Sequence, residues 1–211
     1  MPFATQNKNN SLLSVPASLV RLSHDDNPLA PLLRAMELQA QRDNHSLPAL
    51  SAAVWAEVGA LLELSDFLFT QLLRHPDWIE ALMQLTLEEF LAHPPQVSDI
   101  LTSVDEPLMM DEKALMSRLR EYRQFCLVRL IFLDLRQVIE LEALTQYLTQ
   151  LADVSVNASL IWLDAYYRAL YGRAYDQAGN VQSLMVIGMG KLGGGELNLS
   201  SDIDLIFAFR E

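Results

Sequence analysis

The stretch Val186-Ile-Gly-Met-Gly190-Lys-Leu-Gly-Gly-Gly195-Glu-Leu-Asn-Leu-Ser200-Ser-Asp-Ile-Asp-Leu205-Ile-Phe-Ala-Phe209 decides the fold. A short apolar strand runs into a glycine-rich loop, and a second strand is predicted to open with Asp202 and Asp204 at i and i+2. Side chains alternate across a strand, so the two carboxylates are expected on one face, with Ile203 and Leu205 on the other. Two carboxylates beside a loop of open backbone N–H groups suit a divalent cation together with a nucleotide phosphate.

Two better-known glycine motifs fit less well. Gly188-Met-Gly190-Lys-Leu-Gly193 after a strand matches the dinucleotide pattern G-x-G-x-x-G. That fold needs a crossover helix of a dozen or more residues before a parallel strand. Only ten residues, Lys191–Ser200, separate Gly190 from Ser201, and three of them are glycine. This length suits one tight turn and an antiparallel return. A phosphate-binding P-loop would place its lysine after the glycines, whereas Lys191 precedes the triplet. An isolated D-x-D in an acidic chain is usually a solvated edge. Here Ser201 precedes the pair, Leu205–Phe209 is expected to continue as a buried strand, and the glycine loop lies one hairpin away. The layout is similar to the polymerase-β-like nucleotidyltransferases. In that family the glycine loop holds the phosphates and the aspartates hold metal ions that steady in-line attack at phosphorus.

At the level of residues the likeness narrows. Gly188-Met-Gly-Lys-Leu-Gly-Gly-Gly-Glu-Leu-Asn198, followed by Ser201-Asp-Ile-Asp-Leu205, resembles the signature of the bacterial glutamine synthetase adenylyltransferase/adenylyl-removing enzymes. Upstream, Leu64-Ser-Asp-Phe67, Arg74-His-Pro76, Leu119-Arg-Glu-Tyr-Arg123 and Arg129-Leu-Ile-Phe-Leu-Asp134-Leu agree. The resemblance covers most of the chain after its first thirty or so residues. It implies an enzyme with two catalytic halves. The amino-terminal half uses phosphate to remove AMP from a tyrosine of glutamine synthetase, releasing ADP, and the other half attaches AMP from ATP. A methionine about 185 residues before the motif, with helices between, is similar to the first half.

The resemblance also implies roles for residues. Asp202 and Asp204 would be catalytic and would hold Mg2+. Gly188, Gly190, Lys191, Gly193, Gly194, Gly195 and Ser201 would bind phosphate and nucleotide. ATP or ADP and phosphate are the implied substrates and products, and glutamine synthetase and the PII signal protein the implied partners. Two departures stand out. Related nucleotidyltransferases often carry a serine directly after a loop glycine, where this chain has Met189 and Lys191. The fold also uses a third carboxylate on a later strand, so the 211-residue chain is expected to be a truncated catalytic domain, inactive alone.

Composition limits the alternatives. With 15 Lys+Arg against 27 Asp+Glu, the formal charge is -12, and nothing supplies the positive field that nucleic acid requires. The basic strip Arg118-Leu-Arg120-Glu-Tyr-Arg123 is expected to be a solvated helix face. Cys126 is expected in the core, and His24, His45, His75 and His93 lack metal-ligand spacing. No charged start leads into an apolar run, and no run approaches the ~20 residues of a membrane span. A cytoplasmic protein with no membrane contact is expected.

The chain divides into an irregular tail over residues 1–30, with at most a short helix near Leu12–Val20, and a helical region over residues 31–180. Residues 181–211 begin a nucleotidyltransferase catalytic domain. Apolar spacing predicts a helical run from Pro48 to about Arg74, with Leu50, Val54, Val58, Leu61 and Leu62 on one stripe. Arg74-His-Pro76 is a stop and restart. Thr86-Leu-Glu-Glu89 has capping-box spacing for a short helix ending before Pro94. Asp111 should cap a long helix bearing Leu115, Leu119, Tyr122, Cys126, Leu130 and Leu133. A second long run from Leu141 to about Arg173 places Leu144, Leu148, Leu151, Val154, Ala158, Ile161, Trp162, Tyr166 and Leu170 on its core stripe, either continuous or broken at Val154–Asn157. Asp176–Asn180 reads as a turn, and strand periodicity starts near Ser183. The expected class is α+β: a mostly helical region leading into the first hairpin of a mixed sheet. A helical docking module and a dinucleotide-binding domain are the competing readings.

Overall fold

The computed structural model describes residues 30–42 and 47–209. The tail expected over residues 1–30 lies outside them apart from Ala30, as do His24 and His45. The chain forms two compact units. One gathers the described residues up to Leu91 with Leu127–Val138, the other Ala92–Cys126 with the described residues from Ile139 onward.

The first unit is helical. It contains α1 (Ala30–Arg42), α2 (Ala52–Glu63), α3 (Asp66–Arg74), α4 (Trp78–Gln84) and most of α5 (Leu87–Ala92). The single run expected from Pro48 to Arg74 is in fact two helices. Ser65 interrupts it, its hydroxyl accepting the N–H of Leu68 at 3.2 Å and capping α3. Val58, Leu61 and Leu62 of the predicted stripe are buried, while Leu50 and Val54 are half-buried. The restart after His75-Pro76 falls where predicted, and the His75 ring stacks on Trp78 at 4.1 Å between centroids. Thr86 accepts the N–H of Glu89 at 3.1 Å and so caps α5. Trp55, Leu62, Leu68, Ile79, Phe90 and Leu130 form the core, and the void among its aliphatic residues is only about 10 Å³. Packing of that density makes each methylene count.

The second unit holds the start of α6 (Glu112–Leu135), then α7 (Leu141–Tyr171) and the sheet. Asp111 caps α6 as predicted, accepting the N–H of Ala114 at 2.7 Å. Cys126 and Tyr122 are buried. The expectation for Arg118 is corrected: it is half-buried, and its Nε donates to the carbonyl of Asp99 at 3.1 Å, while Arg120 and Arg123 stay exposed. Tyr122 donates its hydroxyl to Asp99 Oδ2 at 2.6 Å, and burial is the main reason its phenol is held well above the ordinary range.

Helix α7 is unbroken over 31 residues. At the expected weak point, Ser155 and Ser159 donate back to the carbonyls of Leu151 and Ser155 at 2.7 and 2.8 Å, which satisfies their hydroxyls inside the helix. Trp162 is buried, and its indole N–H donates to the carbonyl of Met110 at 2.7 Å. Two expected core residues are not core. Tyr166 is 40% exposed, although its ring stacks on Trp162 at 5.2 Å between centroids, and Leu170 is 55% exposed. No helix among the described residues is long and apolar enough to cross a membrane.

The turn at Asp176–Asn180 forms as predicted, with Asp176 Oδ1 accepting the N–H groups of Ala178 and Asn180 at 2.9 and 2.7 Å. It leads to β1 (Met185–Gly188), which pairs with β2 (Leu205–Ala208). The pair is antiparallel, so a helical body with a small antiparallel sheet makes the chain α+β. The expected burial of Leu205–Phe209 is not found: Phe207 is 61% and Phe209 70% exposed. Among the described residues the sheet has two strands. A groove of about 1030 Å³, lined by Leu160, Leu163, Tyr167, Leu184 and Phe209, separates it from α7.

Candidate functional site

Sheet register assembles the site. Gly188 lies opposite Leu205, the last pair of the ladder. One residue further, the N–H of Met189 donates to the carbonyl of Asp204 at 2.9 Å. The glycine turn therefore departs from β1 at the point where the aspartate segment enters β2. An antiparallel return of this kind is not the parallel crossover that a dinucleotide fold requires. One detail differs from expectation. Regular pairing begins at Leu205, so Asp202 and Asp204 stand in the lead-in to β2 rather than within the ladder. Both are exposed.

The glycine segment folds as a single helical turn, α8 (Gly190–Gly193), entered through extended Met189. The N–H groups of Gly193, Gly194 and Gly195 bond inside the turn to the carbonyls of Met189, Gly190 and Leu192 at 3.2, 3.0 and 3.1 Å. That consumes three of the donors expected to face phosphate. Gly190 and Gly195 have φ of +54° and +75°, the left-handed region that costs side-chain-bearing residues energy. Gly193 is required for another reason: a Cβ there would lie 2.4 Å from the carbonyl oxygen of Gly188, pressing the turn against the end of β1. A Cβ on Gly194 would sit 3.4 Å from its nearest neighbour, the carbonyl of Gly190, and so has room. Lys191 is exposed.

Ser201 is half-buried and turned inward. Its N–H donates to the carbonyl of Asn198 at 3.2 Å, and its hydroxyl donates to Asn198 Oδ1. Leu192 and Leu197 are buried on either side of the glycine triplet and pin the loop at both ends. A further tie comes from α7, where Thr149 Oγ1 accepts the N–H of Leu197 at 3.3 Å. Sequence reasoning missed Thr149, whose only trace is a hydroxyl directly after buried Leu148. Asn198 belongs to the motif, and its role as acceptor for Ser201 has no separate trace in the sequence.

Among the described residues, no group of three His, Cys, Asp or Glu side chains could hold a metal ion. The pair Asp202 and Asp204 nevertheless offers hard, exposed oxygen donors. Mg2+ is commonly held by one or two carboxylates with water and substrate phosphates completing its shell, so this donor set fits it.

Comparison with known proteins shows the family. The family model for glutamate-ammonia ligase adenylyltransferase matches residues 55–211. Three curated relatives, each named bifunctional glutamine synthetase adenylyltransferase/adenylyl-removing enzyme, come from Shewanella loihica, Shewanella frigidimarina and Shewanella oneidensis. They are 40%, 38% and 39% identical to this chain over 74%, 77% and 80% of its length. The matched part is 16% of the first relative and 17% of the other two, so the chain spans about a sixth of their length. The glycine turn and aspartate pair lie inside the matched segment, and the chain belongs to the glutamate-ammonia ligase adenylyltransferase family.

Proposed function

We propose that this chain contributes to the removal of AMP from a tyrosine of glutamine synthetase by phosphorolysis, in the cytoplasm, as part of a protein of the relatives' length. One observation carries the reading: antiparallel register sets the glycine turn beside the aspartate segment, with Met189 bonded directly to Asp204. The relatives' names add both activities, attachment and removal.

In this reading an oxygen of inorganic phosphate attacks the phosphorus of the tyrosyl-AMP ester. The new P–O bond yields ADP, and the bond to the tyrosine oxygen breaks, that oxygen leaving to be protonated. Asp202 and Asp204 would hold Mg2+, which when bound neutralises charge on the phosphate oxygens. The chain's own contribution is placement. The close approach of Gly193 to Gly188 keeps the turn low on β1, so that phosphate can reach the carboxylates without a side chain in the way. Gly188, Gly190, Lys191, Gly194, Gly195 and Ser201 would line the phosphate side, the glycines by close backbone approach, Lys191 by a positive charge from an exposed position and Ser201 by holding the loop before Asp202. The family resemblance makes glutamine synthetase, the protein modified, and the PII signal protein the expected partners of the intact enzyme.

The test is Asp202→Asn and Asp204→Asn, singly and together, in an enzyme of the relatives' full length, assayed for phosphate-dependent AMP release and for ATP-dependent AMP attachment. Loss of release with attachment kept is the expected result. Loss of attachment alone would assign the segment to the opposite activity. A double variant that releases AMP normally would exclude the pair from catalysis and favour a helical docking module.

A further inference from the structure

The loop between the glycine turn and the aspartates is held by a side chain from a distant element. The N–H of Leu197 donates to Thr149 Oγ1 on α7 at 3.3 Å, across 48 residues of chain. The proton of that hydroxyl goes to the carbonyl of Thr145 at 2.9 Å, one turn back in the helix. A hydroxyl donates once and accepts twice. With its proton committed within α7, Thr149 has only acceptor capacity left for the loop, and its direction is fixed by the helix.

The tie passes along the chain to the aspartates. Leu197 is buried, so its backbone is gripped by an apolar plug and a polar bond together. Asn198, next in sequence, accepts both the N–H and the hydroxyl of Ser201. Ser201 immediately precedes Asp202. Apolar burial is non-directional and lets a loop slide. A hydrogen bond has a preferred length and angle and stops it.

The geometry points to Thr149 as a positioning residue for the aspartate pair: its hydroxyl sets the seat of the Leu197–Ser201 loop on α7 and thereby where Asp202 and Asp204 stand against the glycine turn. It touches neither substrate nor metal. The inference rests on the reading of the pair as catalytic.

The test uses Thr149→Val, which keeps the shape and removes the hydroxyl, Thr149→Ser, which keeps the hydroxyl, and the Asp202→Asn/Asp204→Asn variant as a control, all in the full-length enzyme. Misplacing reacting groups by about 1 Å costs up to ~100-fold in rate. T149V should lower kcat for phosphate-dependent AMP release between about tenfold and a hundredfold, with KM for phosphate changed less than about twofold. T149S should restore kcat to within about threefold of the parent. In T149V, amide exchange at Leu197 and Ser201 should speed up while exchange along α7 stays unchanged. Parental kcat in T149V, or T149S as slow as T149V, would overturn the inference. So would a loss of rate matched by lost protection along α7, since that is a folding defect. If the aspartate control keeps turnover, the catalytic reading and this inference both fall. If the control is inactive and T149V is indifferent, only the role of Thr149 falls.

Discussion

At the residue scale, the glycines of one loop do different work. Gly193→Val should abolish Mg2+-dependent ADP binding and disturb the hairpin, because even a Cβ meets the Gly188 carbonyl at 2.4 Å. Gly194→Ala should leave ADP affinity within about threefold, since its Cβ has ordinary room and its φ is not left-handed. Calorimetric titration of both variants checks the pair, and equal losses would show that the glycines matter only as a set. The motif was plain in the sequence, but this division of labour was not. Nothing in Gly-Gly-Gly says which member abuts a strand carbonyl and which needs positive φ. Asp176 supplies a second prediction. Chiefly the Asn180 side chain, with backbone N–H groups nearby, bonds its carboxylate and holds its pKa below the ordinary carboxylate value. Bonding to the charged form lowers a folded-state pKa. The stabilisation is therefore present above the unfolded value of about 3.9 and is lost as pH falls through the lower folded value. A carboxyl NMR titration should find the Asp176 midpoint below the ordinary aspartate value, and a midpoint at that value would contradict the turn geometry.

At the element scale, helix boundaries were legible where a cap and a breaker coincided. Thr86, Asp111 and the His75-Pro76 restart act where their chemistry predicts. Ser65 was not, because Leu61, Leu62 and Leu68 carry the apolar period across the interruption and mask it. Replacing Asp111 by Ala should cost about 1 kcal/mol of stability by orphaning the Ala114 N–H at the start of α6. A urea midpoint shift, with unchanged slope, is the measurement, and no shift would mean that water caps the helix equally well. The end of α7 was misjudged for a different reason. Tyr166 and Leu170 keep the helical spacing of the core stripe, yet spacing reports a face and not how far a covering layer extends. Likewise the near-continuous apolar run of β2 predicts burial on both faces, and that burial requires neighbours beyond the two described strands.

At the scale of the whole molecule, stability should be uneven. The long helices bury their stripes, with Leu115, Tyr122 and Leu148 all under 5% exposed, while β2 leaves Phe207 61% exposed. Hydrogen exchange on the 211-residue chain should show slow amides within α6 and α7 and fast ones across β1 and β2. An exposed apolar two-stranded sheet also presents free edges, so association should rise with concentration and fall when Phe207 is replaced by a polar residue. Sedimentation at several concentrations checks this, and a monomer throughout would contradict it. The family was legible because Gly188–Asn198 followed by Ser201–Leu205 resembles its signature residue by residue. The tie from Thr149 was not, because a contact across 48 residues leaves no local pattern. The central claim is that the turn at Gly190 and the pair Asp202 and Asp204 form one metal–nucleotide site. Its most direct test is Mn2+ titration of the labelled chain in the presence of ADP, followed by paramagnetic broadening of amide signals. Broadening is expected first at Gly188–Leu192 and Asp202–Leu205 and should vanish in the Asp202→Asn/Asp204→Asn variant. Broadening that begins at other acidic segments such as Asp105-Glu106, or that persists in the variant, would contradict it.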